Sequence, residues 1–89
     1  MVDYKILYSK QALKDAKNLS AAKLDKRAKE LITVIKKDPF QNPPPYEKLV
    51  GNLSGTYSRR INIKHRMVYE VRESDKVIRI LRMWSHYGE

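Results

Sequence analysis

Hydrophobic and polar positions at the start of the chain predict a short strand followed by a helix. Residues 3–8, Asp-Tyr-Lys-Ile-Leu-Tyr, form a β-prone run that we interpret as a first strand. Ser9 suits the N-cap of a helix from Lys10 to about Asn18, because its hydroxyl can accept a hydrogen bond from the first turn. The apolar residues of that helix recur at helical spacing and are Ala12, Leu13, Ala16 and Leu19.

The next apolar stripe predicts a second helix. Ser20 offers its N-cap, and the apolar positions of the stripe are Leu24, Ala28, Leu31, Ile32 and Ile35. We expect the helix to end at Asp38, because a residue before proline is pushed out of the α region and Pro39 follows. The proline-rich residues 39–45 then predict an extended, stiff connector. Two short amphipathic helices in succession predict a helical hairpin packed on another layer.

The last third of the chain reads as three strands, over residues 56–63, 66–72 and 77–84. The short segments between them imply antiparallel pairing in a meander. Side chains alternate along the first of these strands, with Tyr57, Arg59, Ile61 and Ile63 on one face and Ser58, Arg60 and Asn62 on the other. One face is therefore expected to be apolar toward the helices, and the other polar.

These elements predict one α+β domain over residues 1–89, in the order β-α-α-β-β-β. The two N-terminal helices are expected on one face of a small antiparallel sheet, which leaves the opposite face open. A chain of 89 residues has room for a single core, and its sequence shows no internal repeat.

Composition narrows the class of protein. Hydrophobic residues make up 42% of the chain and charged residues 33%, which is typical of a folded domain. The absence of cysteine excludes disulfides and thiolate zinc sites, and with only two histidines we expect neither a metal nor a cofactor. No targeting signal and no apolar run of about 20 residues is visible, so no membrane is expected and the cytoplasm is the predicted compartment.

The chain is strongly basic, with 19 Lys and Arg against 10 Asp and Glu and a formal net charge of +9. Such an excess favours a polyanionic partner, either a nucleic acid or an acidic protein segment. Lysines on the predicted helices are typical of solvated surface. Six of the seven arginines fall in the strand region and are Arg59, Arg60, Arg66, Arg72, Arg79 and Arg82. Arginine on an open sheet face suits phosphate contact, so these patterns indicate a basic domain that binds RNA or protein.

Residues 47–69 narrow the function further. They meet every fixed position of the pattern E-x-L-x-x-N-L-S-G-x-x-S-R-R-I-x-x-x-H-R-x-V-Y. This segment resembles the Txe/YoeB toxins of the RelE/ParE superfamily, and Ser85-His86-Tyr87 resembles the His-Tyr pair that closes those proteins. The resemblance extends over essentially the whole chain. The triple proline at 43–45 departs from that family and is expected to stiffen the segment before Glu47.

The resemblance implies a RelE/ParE-like fold and a toxin that enters the ribosomal A site and cleaves messenger RNA there. The RNA's own 2′-hydroxyl would be the nucleophile, giving 2′,3′-cyclic phosphate and 5′-hydroxyl ends without a metal. Its implied partners are the ribosome, the messenger and a cognate antitoxin. We expect an acidic antitoxin that covers the basic sheet face. Homodimerisation is left open.

The resemblance also assigns roles to individual residues. Glu47 is the candidate base, Arg66 the candidate group that stabilises phosphorane charge, and His86 the candidate acid. The substrate-binding candidates are Arg60, Arg59 and Tyr87. Alternatively, Arg59 and Arg60 are one inward aliphatic stem and one solvated charge.

Two other functions compete with the ribonuclease. One is a non-catalytic module that binds RNA or protein, and the other is a ParE-like toxin directed at DNA gyrase. A binding module needs no base and acid together, and a ParE-like protein would lack the set Glu47, Arg66 and His86. That set therefore favours the ribonuclease.

Overall fold

The computed structural model describes residues 3–42, 45–49 and 55–83, and within them two helices pack on a five-stranded sheet. His86 and Tyr87 lie outside the described residues. None of the helices in those three ranges is long and apolar enough to cross a membrane. The elements are β1 (Lys5–Tyr8), α1 (Lys10–Ala21), α2 (Asp25–Lys37), β2 (Tyr46–Lys48), β3 (Thr56–Arg60), β4 (Arg66–Arg72) and β5 (Val77–Arg82).

The sheet has the strand order β1-β5-β4-β3-β2. Strands β3, β4 and β5 form the predicted antiparallel meander. Two pairings were not predicted. Strand β1 runs parallel to β5, with Lys5 opposite Val77, and the short strand β2 pairs antiparallel with β3, with Glu47 opposite Ser58. The two helices therefore connect β1 at one edge of the sheet to β2 at the other.

Ser9 caps α1 as predicted. Its Oγ accepts a hydrogen bond from the Ala12 N–H at 3.0 Å and donates one to the Leu81 carbonyl at 2.8 Å. The same hydroxyl therefore satisfies a free N–H of the first turn and joins the start of the helix to β5. Beyond the predicted end near Asn18, α1 continues to Ala21.

The prediction that Ser20 caps α2 is wrong, because Ser20 lies within α1. The helix ends at Ala21, and two residues later Lys23 has a φ of 62°, in the left-handed region. The Lys23 N–H donates to the Ser20 carbonyl at 3.1 Å, and the Leu24 N–H donates to the Leu19 carbonyl at 2.8 Å. These two bonds form a Schellman motif, which reverses the chain so that α2 starts at Asp25 without a side-chain cap.

The core lies between the helices and one face of the sheet. The apolar stripe predicted for the second helix is confirmed, since its residues are buried or partly buried against the sheet. Alternate residues of the central strands complete this core, and they are Met67 and Tyr69 on β4 and Ile78 and Ile80 on β5. Burying each large apolar side chain stabilises the fold by roughly 1.5–3 kcal/mol.

A buried carboxylate fixes the end of the sheet to α1. Asp15 is 1% exposed, and its two oxygens accept hydrogen bonds from Gln11 Nε2 and from the Met83 N–H, each at 2.9 Å. Because Met83 directly follows β5, these bonds hold the end of that strand against the helix. Burial of the carboxylate is tolerated because both oxygens are hydrogen-bonded.

Candidate active site on the open face of the sheet

The face of the sheet away from the helices carries five of the six arginines of the strand region, whereas Arg59 lies on the other face. Side chains alternate along β4, so Arg66 points to the open face while Met67 and Tyr69 are buried on the face toward the helices. Residues paired in register on neighbouring strands share a face of the sheet. The basic side chains that share the open face with Arg66 are Arg60, Arg72, Arg79 and Arg82. Glu47 and Glu70 also lie on this face. The open basic face predicted from the sequence is therefore present.

The short edge strand β2 positions Glu47. The sequence analysis predicted no strand around this residue, whereas the structure pairs it with Ser58 of β3. The neighbouring Tyr46 points to the other face, where its ring lies 6.0 Å from that of Phe40 and 5.9 Å from that of Tyr57. These aromatic contacts hold β2 against the sheet from behind, which fixes the backbone from which Glu47 projects.

Arg59 also lies behind the site, on the helix-facing side of β3. It is 1% exposed, and its Nη2 donates to the Gln41 carbonyl at 2.8 Å and to the Pro39 carbonyl at 3.1 Å. Its Nε donates to the Tyr69 hydroxyl at 3.1 Å, which in turn donates to the Pro39 carbonyl at 2.9 Å. Its guanidinium carbon lies 5.1 Å from the centre of the Tyr46 ring. Arg59 therefore ties the connector after α2 to the sheet and supports β2.

Glu47 and Arg66 form an ion pair on the open face. Arg66 Nη1 lies 2.6 Å from Glu47 Oε1. The Arg66 side chain is 21% exposed and the Glu47 side chain is 61% exposed. They project from β4 and β2, which flank β3, so the pair spans β3. A charge-assisted bond this short is strong for a surface contact, yet its exposure to water leaves it open to exchange with another anion.

A cleft of about 310 Å³ surrounds this ion pair. It is lined by Pro45, Tyr46, Glu47, Ser58, Arg60 and Arg66. Arg60 is exposed and lies directly opposite Arg66 across the β3–β4 pair. The cleft thus combines one carboxylate with two guanidinium groups, which suits a phosphate diester flanked by a hydroxyl that must lose a proton.

The structure brings three of the predicted site residues together, namely Glu47, Arg60 and Arg66. Arg59 lies on the opposite face of the strand, so direct contact with a substrate would require its buried hydrogen bonds to break. The alternative in which Arg59 points inward and Arg60 points to solvent matches these positions. Even so, Arg59 carries its whole guanidinium inward rather than its stem alone.

Sequence reasoning missed Ser58 as a site residue. It is 1% exposed, lines the cleft and faces Glu47 across the β2–β3 pair. The sequence showed that Ser58 shares a strand face with Arg60. Its proximity to Glu47, however, depends on β2, which the sequence pattern did not predict. Among the described residues, no group of three or more His, Cys, Asp and Glu side chains could hold a metal ion.

Comparison with known proteins gives consistent matches over this fold. A model of the YoeB-like toxins of bacterial type II toxin–antitoxin systems matches residues 8–87. The toxin YoeB of Synechocystis sp. is 48% identical over 56 residues, covering 63% of this chain and 65%, slightly under two thirds, of that protein. In the YoeB–YefM complex from Staphylococcus aureus, a chain 38% identical gives a TM-score of 0.79 and coverages of 94% and 98%. The YoeB dimer from that species is 37% identical, with a TM-score of 0.82 and coverages of 97% and 100%.

Proposed function

This chain belongs to the family of YoeB-like toxins of bacterial type II toxin–antitoxin systems, and we propose that it is a ribosome-dependent endoribonuclease that cleaves messenger RNA in the A site. The family relationship supports a ribonuclease. The observation that carries the proposal is the Glu47–Arg66 ion pair beside Arg60 in a cleft of the basic face. A carboxylate can serve as the base for in-line attack on a phosphodiester, and two guanidinium groups can stabilise the charge that develops on the phosphate.

The reaction we propose proceeds by attack of the RNA 2′-hydroxyl on the adjacent phosphorus. Glu47 accepts the proton of the 2′-hydroxyl as the bond from that oxygen to phosphorus forms. Arg66, with Arg60 beside it, stabilises the negative charge on the non-bridging oxygens. The bond from phosphorus to the 5′-oxygen breaks, and His86 donates a proton to that leaving oxygen. The products are a 2′,3′-cyclic phosphate and a 5′-hydroxyl.

Two further residues complete the proposed site. Tyr87 stacks on or orients the nucleotide at the cleavage position. Arg59, which the sequence also assigned to substrate binding, acts from behind the sheet by holding the connector and the strand that bears Glu47. Neither residue donates or accepts a proton in the reaction we propose.

The Glu47–Arg66 ion pair is the resting state of this site in our proposal. A phosphate entering the cleft offers Arg66 a second anion and draws its guanidinium away from Glu47. The carboxylate is then available to accept the proton of the 2′-hydroxyl. Substrate binding therefore prepares both groups at once.

We further propose that a cognate acidic antitoxin covers the basic face in the cytoplasm and blocks the cleft. The net charge of +9 supports this, as does the similarity to a Staphylococcus aureus protein found in a complex with YefM. Binding of the antitoxin is expected to weaken as salt is added. An affinity that does not change between low and high salt would contradict an electrostatic interface.

The test of the ribonuclease is cleavage of a defined messenger on programmed ribosomes, with primer extension to locate the cut and end-labelling to identify the termini. We expect A-site cleavage that leaves a 5′-hydroxyl and is insensitive to EDTA. Glu47→Gln, Arg66→Ala and His86→Ala should each reduce the rate by about 10²- to 10⁴-fold.

Arg72→Ala is the matched control, since Arg72 lies on the same face of β4 as Arg66 but outside the cleft. We expect it to cleave within a few-fold of wild type. Equal rates for Glu47→Gln and wild type would remove Glu47 from the mechanism. A folded wild type that leaves messenger intact and inhibits DNA gyrase would point to the ParE-like alternative.

A further inference from the structure

Ser58 is a buried polar residue in the cleft to which the reaction above gives no role. Ser58 is 1% exposed, and among the described residues its Oγ has no hydrogen-bond partner. A buried hydroxyl without a partner destabilises a fold, whereas an alanine at the same place would not. A polar group that the fold does not satisfy is a candidate for a contact made during function.

The position of Ser58 relative to the ion pair is defined by the strand register. Ser58 lies opposite Glu47 on one side and opposite Val68 on the other. Glu47 and Arg66 reach toward each other from β2 and β4, so their contact passes over the part of β3 that contains Ser58 and Arg60. The small serine side chain therefore lies at the floor of the cleft, beside the base of the Glu47 side chain.

We propose that Ser58 is a positioning residue whose hydroxyl donates a hydrogen bond to the Glu47 carboxylate when a phosphate engages Arg66. This inference rests on the proposed ribonuclease function. In the resting structure the Arg66 guanidinium binds Glu47 Oε1. Once that contact is lost, the carboxylate can accept a hydrogen bond from another donor, and Ser58 is its cross-strand neighbour. One carboxylate oxygen is then held by Ser58, and the other faces the 2′-hydroxyl.

In this proposal the buried Ser58 hydroxyl has a role in the reaction, although it has no partner among the described residues in the resting structure. An apolar residue would satisfy the resting structure better, but it could not orient the base after Arg66 moves. Active sites commonly keep such groups at a cost in stability. The expected signature is therefore a variant that loses activity without losing stability.

The experiment compares wild type, Ser58→Ala and Ser58→Thr on programmed ribosomes, together with their thermal unfolding. Ser58→Ala is expected to lower the single-turnover rate by about 10- to 100-fold, as for loss of a hydrogen bond to a charged group. Its melting temperature should equal or exceed that of wild type, and Ser58→Thr, which keeps the hydroxyl, should retain most of the rate. A lower melting temperature together with a lower rate would assign Ser58 to packing instead.

A double-mutant cycle shows whether Ser58 acts through Glu47. In the Glu47→Gln background, Ser58→Ala is expected to cause no further loss of the residual rate, because the group it positions is already gone. The same loss in both backgrounds would overturn the proposal and indicate direct contact of Ser58 with the phosphate. Affinity for ribosomes carrying a messenger with a 2′-O-methyl group at the cleavage position is a second measurement. We expect Ser58→Ala to leave this affinity unchanged, and a weaker affinity would again indicate contact with the RNA.

The same assays separate this proposal from the function on which it rests. If wild type fails to cleave ribosome-bound messenger, both are overturned. If wild type cleaves and Ser58→Ala cleaves equally fast, the ribonuclease stands and only the role of Ser58 is lost.

Discussion

The two faces of the β3–β4 strand pair carry arginines in opposite surroundings. On the face toward the helices, Arg59 is 1% exposed, and its guanidinium donates to two backbone carbonyls and to the Tyr69 hydroxyl. On the open face, Arg66 meets Glu47 in a partly exposed pair, and Ser58 beneath has no partner within the described part of the chain.

This difference separates a structural arginine from one suited to chemistry. Buried hydrogen bonds to backbone oxygens cannot be exchanged without loss of the fold, so Arg59 fixes the connector and β2 in place. A partly exposed ion pair contributes little to stability and can be exchanged for another anion. The helix-facing side therefore makes the site rigid, and the open side leaves its charged groups available.

The largest expected effect tests the helix-facing side. Arg59→Met keeps much of the side-chain volume but removes the donors to Pro39, Gln41 and Tyr69, and we expect a loss of about 3 kcal/mol in the free energy of unfolding. Arg60→Met is the matched control one residue away. Since Arg60 is exposed, its substitution should change stability by no more than about 0.5 kcal/mol.

Urea unfolding followed by circular dichroism measures both variants. Equal losses for Arg59→Met and Arg60→Met would erase the distinction between the two faces. A stable Arg59→Met protein that bound RNA more weakly than wild type would instead return Arg59 to the substrate-binding role that the sequence suggested.

An intermediate effect on stability is expected at Tyr4. This residue belongs to the core between the helices and the sheet, and its hydroxyl donates a hydrogen bond to Glu73 at 2.5 Å. We expect Tyr4→Phe to lower the free energy of unfolding by about 1 kcal/mol at neutral pH. The hydrogen bond to Glu73, followed by burial, raises the pKa of Tyr4 from 10.0 to about 12. The wild-type advantage should therefore be complete below pH 10 and disappear as the pH rises toward 12, because the unfolded chain ionises first.

Unfolding of wild type and Tyr4→Phe at a series of alkaline pH values measures that trend. Only the difference between the two proteins is informative, since other groups titrate in the same range and do so in both. A difference that stayed constant from neutral pH to pH 12 would show that the phenol–carboxylate bond does not contribute.

The smallest effect on stability is expected on the open face. Glu47→Gln removes the charge that pairs with Arg66, and we expect the free energy of unfolding to change by no more than about 0.5 kcal/mol. The same variant is expected to lose most of its ribonuclease activity. A large loss of stability would mean that the ion pair holds the fold together, and the contrast between the two faces would fail.

Some predictions that depend on the residues of one segment alone were confirmed. Ser9 caps its helix, the second helix has its predicted apolar stripe, and β4 covers residues 66–72 as expected. The serine rule failed at Ser20 because the helix end depends on the backbone of Lys23, which adopts a left-handed conformation without glycine. The strand β2 was missed because Tyr46–Lys48 is too short to show alternation.

The sequence by itself determined the α+β class and the basic face, because charge and side-chain period are properties of local sequence. The candidates Glu47, Arg60 and Arg66 came from the resemblance of residues 47–69 to a toxin family. Only the tertiary structure decided that β2 brings Glu47 across from Ser58 and within 2.6 Å of Arg66. It also decided that Arg59 faces inward with its charge fully engaged. Contacts between strands depend on register, and register is set by the packing of the whole sheet rather than by any one segment.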